Sequence, residues 1–151
     1  MATAKMIESE RKAADIYHGA AICREKLEKM LDEFSVPKCL FEKVDDIEEF
    51  GLNRSTGFYW LRQKSKTERK VDKVGTAYYD TELSGFIQQR RITKVTGVKA
   101  KELFLTLTVS EILVGVPSNH TVKFVSTAGI YRVHPIAAFE PAVIAKINTK
   151  K

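Results

Sequence analysis

Tyr131, Arg132 and His134 lie within a single short segment, STAGIYRVHPIAAFE, residues 126–140. An imidazole beside a guanidinium can move a proton near neutral pH, since its ordinary pKa is about 6.5 and adjacent positive charge lowers it. Pro135 holds His134 in extended backbone, and strand parity puts His134 on one face with Arg132 and Ile130 while Tyr131 and Val133 face the other way. If that face is interior, His134 is a candidate acid/base, with Tyr131 and Arg132 orienting a substrate. If it is exterior, His134 is a polar residue at a strand end. His18, before a glycine, and His120, in a turn, are accounted for by local structure.

Other side chains could join them. Glu111 continues the line Leu103, Leu105, Leu107, Val109, so if buried it needs a partner, and Arg132 is the obvious one. Cys39 follows Pro37-Lys38 in a loop, where a free thiol reacts if its pKa is lowered; only Lys38 and Lys43 are near in sequence to do that. Phe104 and Thr106 share the opposite face of residues 101–114 with Thr108, Ser110 and Ile112. That face is neither charged nor fully apolar, which suits a strand looking into a partly polar interior. Trp60 is a core residue or the wall of a pocket. The candidates are thus His134 and Tyr131 for catalysis, and Thr106, Phe104, Arg132, Trp60, Glu111 and Cys39 for ligand contact.

Several function classes find no support. The chain has no GxSxG elbow, no Walker or dinucleotide glycine pattern, no HExxH and no kinase signature. Cys23 and Cys39 form no CxxC or Cys/His cluster, so metal ligation is not expected and free thiols are. The net charge of +6 is dispersed; its densest run, RQKSKTERKVDK at 62–73, contains Glu68 and Asp72 and no interleaved aromatics. It reads as a solvated face rather than a nucleic-acid stripe, which leaves weak contact with anionic membrane headgroups. No apolar run approaches the roughly 18 residues of a membrane span, and the charged N-terminus lacks a signal-peptide core, so a cytoplasmic location is expected.

The elements that must position these groups follow from periodicity. AAICREKLEKMLDEF, 20–34, places Cys23, Leu27, Met30, Leu31 and Phe34 at helical spacing, and an earlier helical piece, Ile7 to Tyr17, ends or kinks at His18-Gly19. Beyond about residue 45 the pattern alternates. IEEFGL and FYWLRQK flank the turn residues NRSTG, and further strands run through 68–74, 76–89, 101–114, 121–127 and the opening segment. Gly85 inside the fourth marks a bulge or a close backbone approach. At 151 residues with 44 % hydrophobic side chains, this is one mainly β domain. It is an antiparallel barrel or sandwich of six or seven strands with an amphipathic N-terminal helix packed against it. Residues 20–140 form the domain, 1–19 a helical or partly flexible lead, and 141–151 a basic flexible tail.

CREKLEKMLDEFSVP, DDIEEFGLNRSTGFYWLRQK, VTGVKAKELFLTLTVSEI and AGIYRVHPIAAFE, in that order, resemble the plant family named domain of unknown function 538. The resemblance implies a small barrel-like β domain with an N-terminal helix, and a plant source. For function it implies lipid binding in the manner of bactericidal/permeability-increasing proteins, or hydrolysis of chlorophyll-type esters, without a defined catalytic residue. This chain departs from the family pattern. Cys39-Leu40-Phe41-Glu42 replaces Gly-Leu-Leu-Pro, Thr106 a Trp, His134 a Phe, and Tyr131 a Ser. The exchanges at Thr106 and His134 would enlarge and polarise an interior, as a ligand pocket requires. Three readings stand: a binder of a lipid or other lipophilic small molecule, a cofactor-free isomerase, cyclase, lyase or ester hydrolase of plant specialised metabolism using His134, or a protein-interaction domain working through its surface.

Overall fold

The computed structural model describes residues 2–140; the expected basic tail, 141–151, lies outside the described residues. The chain opens with helix α1 (Ala2–Glu10), a 3-10 turn (Arg11–Ala13) and strand β1 (Asp15–His18). The helix expected to reach Tyr17 therefore stops seven residues early. Ala14 turns extended at φ −100° and ψ 149°, and residues 15–18 satisfy their backbone groups by pairing with β2 (Ile47–Asn53). Gly19 then takes φ 99°, which lets the chain fold back from the sheet edge straight into helix α2 (Ala20–Glu33).

After α2 and a 3-10 turn at Lys38–Phe41 come β2, β3 (Phe58–Gln63), β4 (Thr67–Val71), β5 (Gly75–Gln88), β6 (Arg91–Glu102), β7 (Leu105–Val114), β8 (Thr121–Ser126) and β9 (Tyr131–Pro135). A last 3-10 turn covers Ile136–Phe139. The strands form one antiparallel sheet of nine, in the order β1-β2-β3-β5-β6-β7-β8-β9, with β4 also on β5. Among the described residues no pairing joins the two ends, so the sheet is open. The expected strands are present, and β1 and β6 are additional. Within β5 the register shifts on both sides of Ser84, next to Gly85, where an added Cβ would stand 2.8 Å from Ile92.

Burial divides the sheet into two layers. On the inner face, α2 lays Cys23, Leu27, Met30 and Leu31 against Phe50, Leu61, Leu83 and Ile92, all in one core. On the outer face, Ile7 of α1 packs with Phe58 and Trp60, so β3 is covered on both sides. Gly51 pairs with Trp60 across β2 and β3, and its missing Cβ leaves the space the indole fills: a Cβ there would lie 2.3 Å from ring carbons.

Glu49 fastens this outer layer. It is 3 % exposed, accepts bonds from Trp60 Nε1 at 2.8 Å, Arg11 Nη1 at 2.8 Å and His18 Nε2 at 2.9 Å, and has Arg62 at 3.6 Å. The Arg11 hydrogen bond, more than the opposing effect of burial, pulls its carboxyl down to about 2. Glu10 adds bonds to Asn53 and Thr56 at 2.7 and 2.8 Å.

Candidate ligand cavity

The inner face encloses a cavity of about 80 Å³ between the ends of β5, β6, β7, β8 and β9. That exceeds the roughly 10–15 Å³ a single water requires. Its walls are mostly apolar, with Tyr79, Val98, Leu107, Val109, Ile112 and Phe124 prominent. The few polar side chains include Glu102, Ser126, Arg132 and His134. The 3-10 turns at Lys38–Phe41 and Ile136–Phe139 close one side with Leu40, Phe41 and Phe139.

β9 supplies His134 and Arg132 to the cavity because its register sets them opposite Val122 and Phe124, whose side chains belong to the core. The His134 ring is half-buried and stands 6.3 Å from both Phe124 and Phe139. Burial pushes its pKa below the ordinary imidazole value; Glu102 opposes this and Arg132 adds to it, so the ring is neutral at physiological pH. Arg132 donates from Nε to Glu102 Oε1 at 2.6 Å, joining β9 to the end of β6 across the cavity wall. Its partner is thus Glu102 and not Glu111.

Arg69 and Tyr79 hold the closing turns. Arg69 on β4 donates to the carbonyls of Cys39 and Phe139 and lies 3.7 Å from Glu42. Tyr79 donates to the Leu40 carbonyl at 2.7 Å, and burial raises its hydroxyl to about 12, so it remains a donor. One half-buried arginine and one buried tyrosine therefore tie two turns nearly one hundred residues apart to the same strand pair. In the sequence Arg69 sits in a run that reads as solvated, yet Thr67, Arg69 and Val71 share parity, and Val71 is core.

The other candidates are placed apart from this cavity. Tyr131 is 55 % exposed on the opposite face of β9, with Lys123 Nζ 4.2 Å above its ring. Thr106 is exposed on the outer face of β7, and Phe104 is fully exposed in the turn before that strand. The expectation that this face of β7 looks inward is corrected: Leu107 and Val109 are buried instead. A register shift between Val109 and Glu111 then changes parity, so Ile112 and Val114 also face in. The Thr106 exchange accordingly does not enlarge the interior.

Trp60 is sealed in the outer layer. Glu111 is half-buried opposite Val125 and does not line the cavity. Cys39 lines a separate surface groove, and burial raises its thiol, which makes it a poor nucleophile. Among the described residues no group of three or more His, Cys, Asp or Glu side chains is arranged to hold a metal, and no helix is long and apolar enough to cross a membrane.

No curated protein and no solved structure matches the chain. A family model described as "Protein of unknown function, DUF538" matches residues 27–140, which span β2 to β9, both closing turns and every residue of the cavity, and the chain belongs to that family.

Proposed function

We propose that the chain binds a lipophilic small organic molecule in this cavity, its apolar part against Leu107, Ile112 and Phe124 and its polar end toward Arg132, Glu102 and His134. The observation that carries the reading is an apolar enclosure with a few convergent polar groups at one wall, the usual composition of a small-molecule site. The ion pair offers both a donor and an acceptor without an unpaired buried charge. Binding of this kind needs no cofactor.

The position of His134 in the same wall favours a second reading, a cofactor-free isomerase, cyclase, lyase or ester hydrolase. A neutral imidazole would take a proton from one atom of the substrate and return it to another, with Arg132 stabilising the charge that develops between the two steps. Tyr131, on the outer face, has no place in that scheme.

The test uses benzene, whose size suits a cavity of about 80 Å³, as the probe and a panel of small lipophilic esters and enones as competitors and substrates. Val109→Phe fills the cavity and is expected to weaken probe binding at least tenfold; unchanged affinity sends the ligand elsewhere. His134→Phe separates the readings. Retained affinity with lost turnover supports acid/base chemistry, and turnover unchanged in that variant removes His134 from it.

A further inference from the structure

The two-residue turn between β6 and β7 carries the most exposed apolar side chains of the described residues. Glu102 pairs directly with Leu105, which leaves Leu103 and Phe104 alone at the tip, 88 % and 101 % exposed. Leu103 has φ +50°, where a two-residue hairpin favours glycine and a branched side chain is rare. Local structure thus argues against both residues, and packing within the chain does not repay them.

The surroundings of the tip point to what covers it. Strand directions bring the β4–β5, β6–β7 and β8–β9 turns to the same end of the sheet. Lys101 pairs with Thr76, and Thr76 with Lys70, so the two lysines flank one threonine on one face. Lys99 follows on that face, and Lys73 lies in the β4–β5 turn; all of these lysines are exposed. The acidic groups nearby are Asp72, Glu68 and Glu102, and Glu102 is paired with Arg132. An apolar tip set in a cationic collar matches an anionic bilayer, whose interior takes up the tip while its headgroups meet the lysines.

We propose that this end of the sheet docks on anionic membrane surfaces, with Leu103 and Phe104 inserted below the headgroups. Gly75, Glu102, Ile130 and Arg132 line the cavity at the same end, so docking turns that wall of the cavity toward the bilayer. The inference rests on the tip and its collar and holds whatever fills the cavity.

Vesicle flotation of the full chain tests it, with phosphatidylcholine alone and with added phosphatidylserine. Wild type is expected to float with the anionic vesicles, less so as salt rises. Leu103→Gly with Phe104→Asn supplies the residues the turn favours, so its Tm is expected to hold or rise while partitioning falls roughly a hundredfold, about tenfold per buried side chain. Lys70→Ser and Lys101→Ser are each expected to weaken partitioning about fivefold. Val109→Phe, which fills the cavity, is expected to float like wild type, which separates failure of the cavity reading from failure of this one. Absence of flotation, equal flotation with neutral vesicles, or a lipid-free dimer in sedimentation that the tip variant abolishes each overturns the proposal, the last in favour of a second copy as occupant.

Discussion

Replacing Glu49 by glutamine keeps the side-chain shape and an acceptor for Trp60 but removes the charge that Arg11 and His18 meet. An ordinary carboxyl near 4.5 that titrates at about 2 in the folded chain contributes about 3 kcal/mol, at roughly 1.36 kcal/mol per pH unit. The folded value is depressed, so this contribution is fully present above about pH 4.5 and is lost as pH falls toward 2. Glu49 is 3 % exposed, but Arg11 and His18 are 36 % and 66 % exposed, so solvent screening at those partners makes that figure an upper bound. Urea unfolding followed by the fluorescence of Trp60, the single tryptophan, measures it in wild type and Glu49→Gln from pH 7 to pH 3. The difference between the two proteins isolates this group, because Glu33, whose pKa is also lowered by its arginine partner, is common to both. It should be at most about 3 kcal/mol at pH 7 and fall to about half its pH 7 value at pH 3. A difference that stays flat with pH, or a variant as stable as wild type at pH 7, refutes the reasoning. Probe binding at the cavity should be unchanged where the variant is folded, since Glu49 lies on the other side of the sheet.

Gly51→Ala puts a Cβ 2.3 Å from the buried Trp60 ring, so the indole must leave both its packing and its bond to Glu49. A loss of about 3 kcal/mol or more is expected, with a red-shifted tryptophan emission that reports the displacement. Arg69→Met removes the donors to Cys39 and Phe139 while keeping the aliphatic stem. It should lower stability by about 2 kcal/mol and raise hydrogen exchange selectively in residues 38–41 and 136–140. Uniform exchange across the chain would instead make Arg69 an ordinary contributor to global stability.

Where one periodicity runs unbroken and one face is buried, the fold could be read directly. α2 shows its four buried residues at helical spacing, and β2 and β3 are rich in residues that suit a packed sheet. β6 hides because Arg91, Lys94, Lys99 and Lys101 dilute its alternation and Gly97 at φ 84° interrupts it. β1 is four residues long, with polar Asp15 and His18 at its ends, and it exists only because β2 offers an edge to pair with. A tertiary partner makes that strand, and no local pattern announces it.

The same limit governs the cavity. Parity carries a facing only as far as the next bulge. It holds over the five residues of β9, which is why the inward pair Arg132 and His134 follows from the sequence once Val122 and Phe124 are known to be core. In β7 the shift after Val109 breaks it, and a strict alternation drawn through Thr106 to Ile112 joins an exposed residue to a buried one. Pairings across the curl are harder still, because Glu102 and Arg132 sit in strands that do not neighbour each other in the sheet and meet only through its curvature. Arg69 was within reach, since two residues from a buried valine on a short, unbulged strand an arginine must either find acceptors or leave the strand distorted. It finds them in the two turns that close the cavity, which makes the least conspicuous member of a basic run the one that holds the candidate site together.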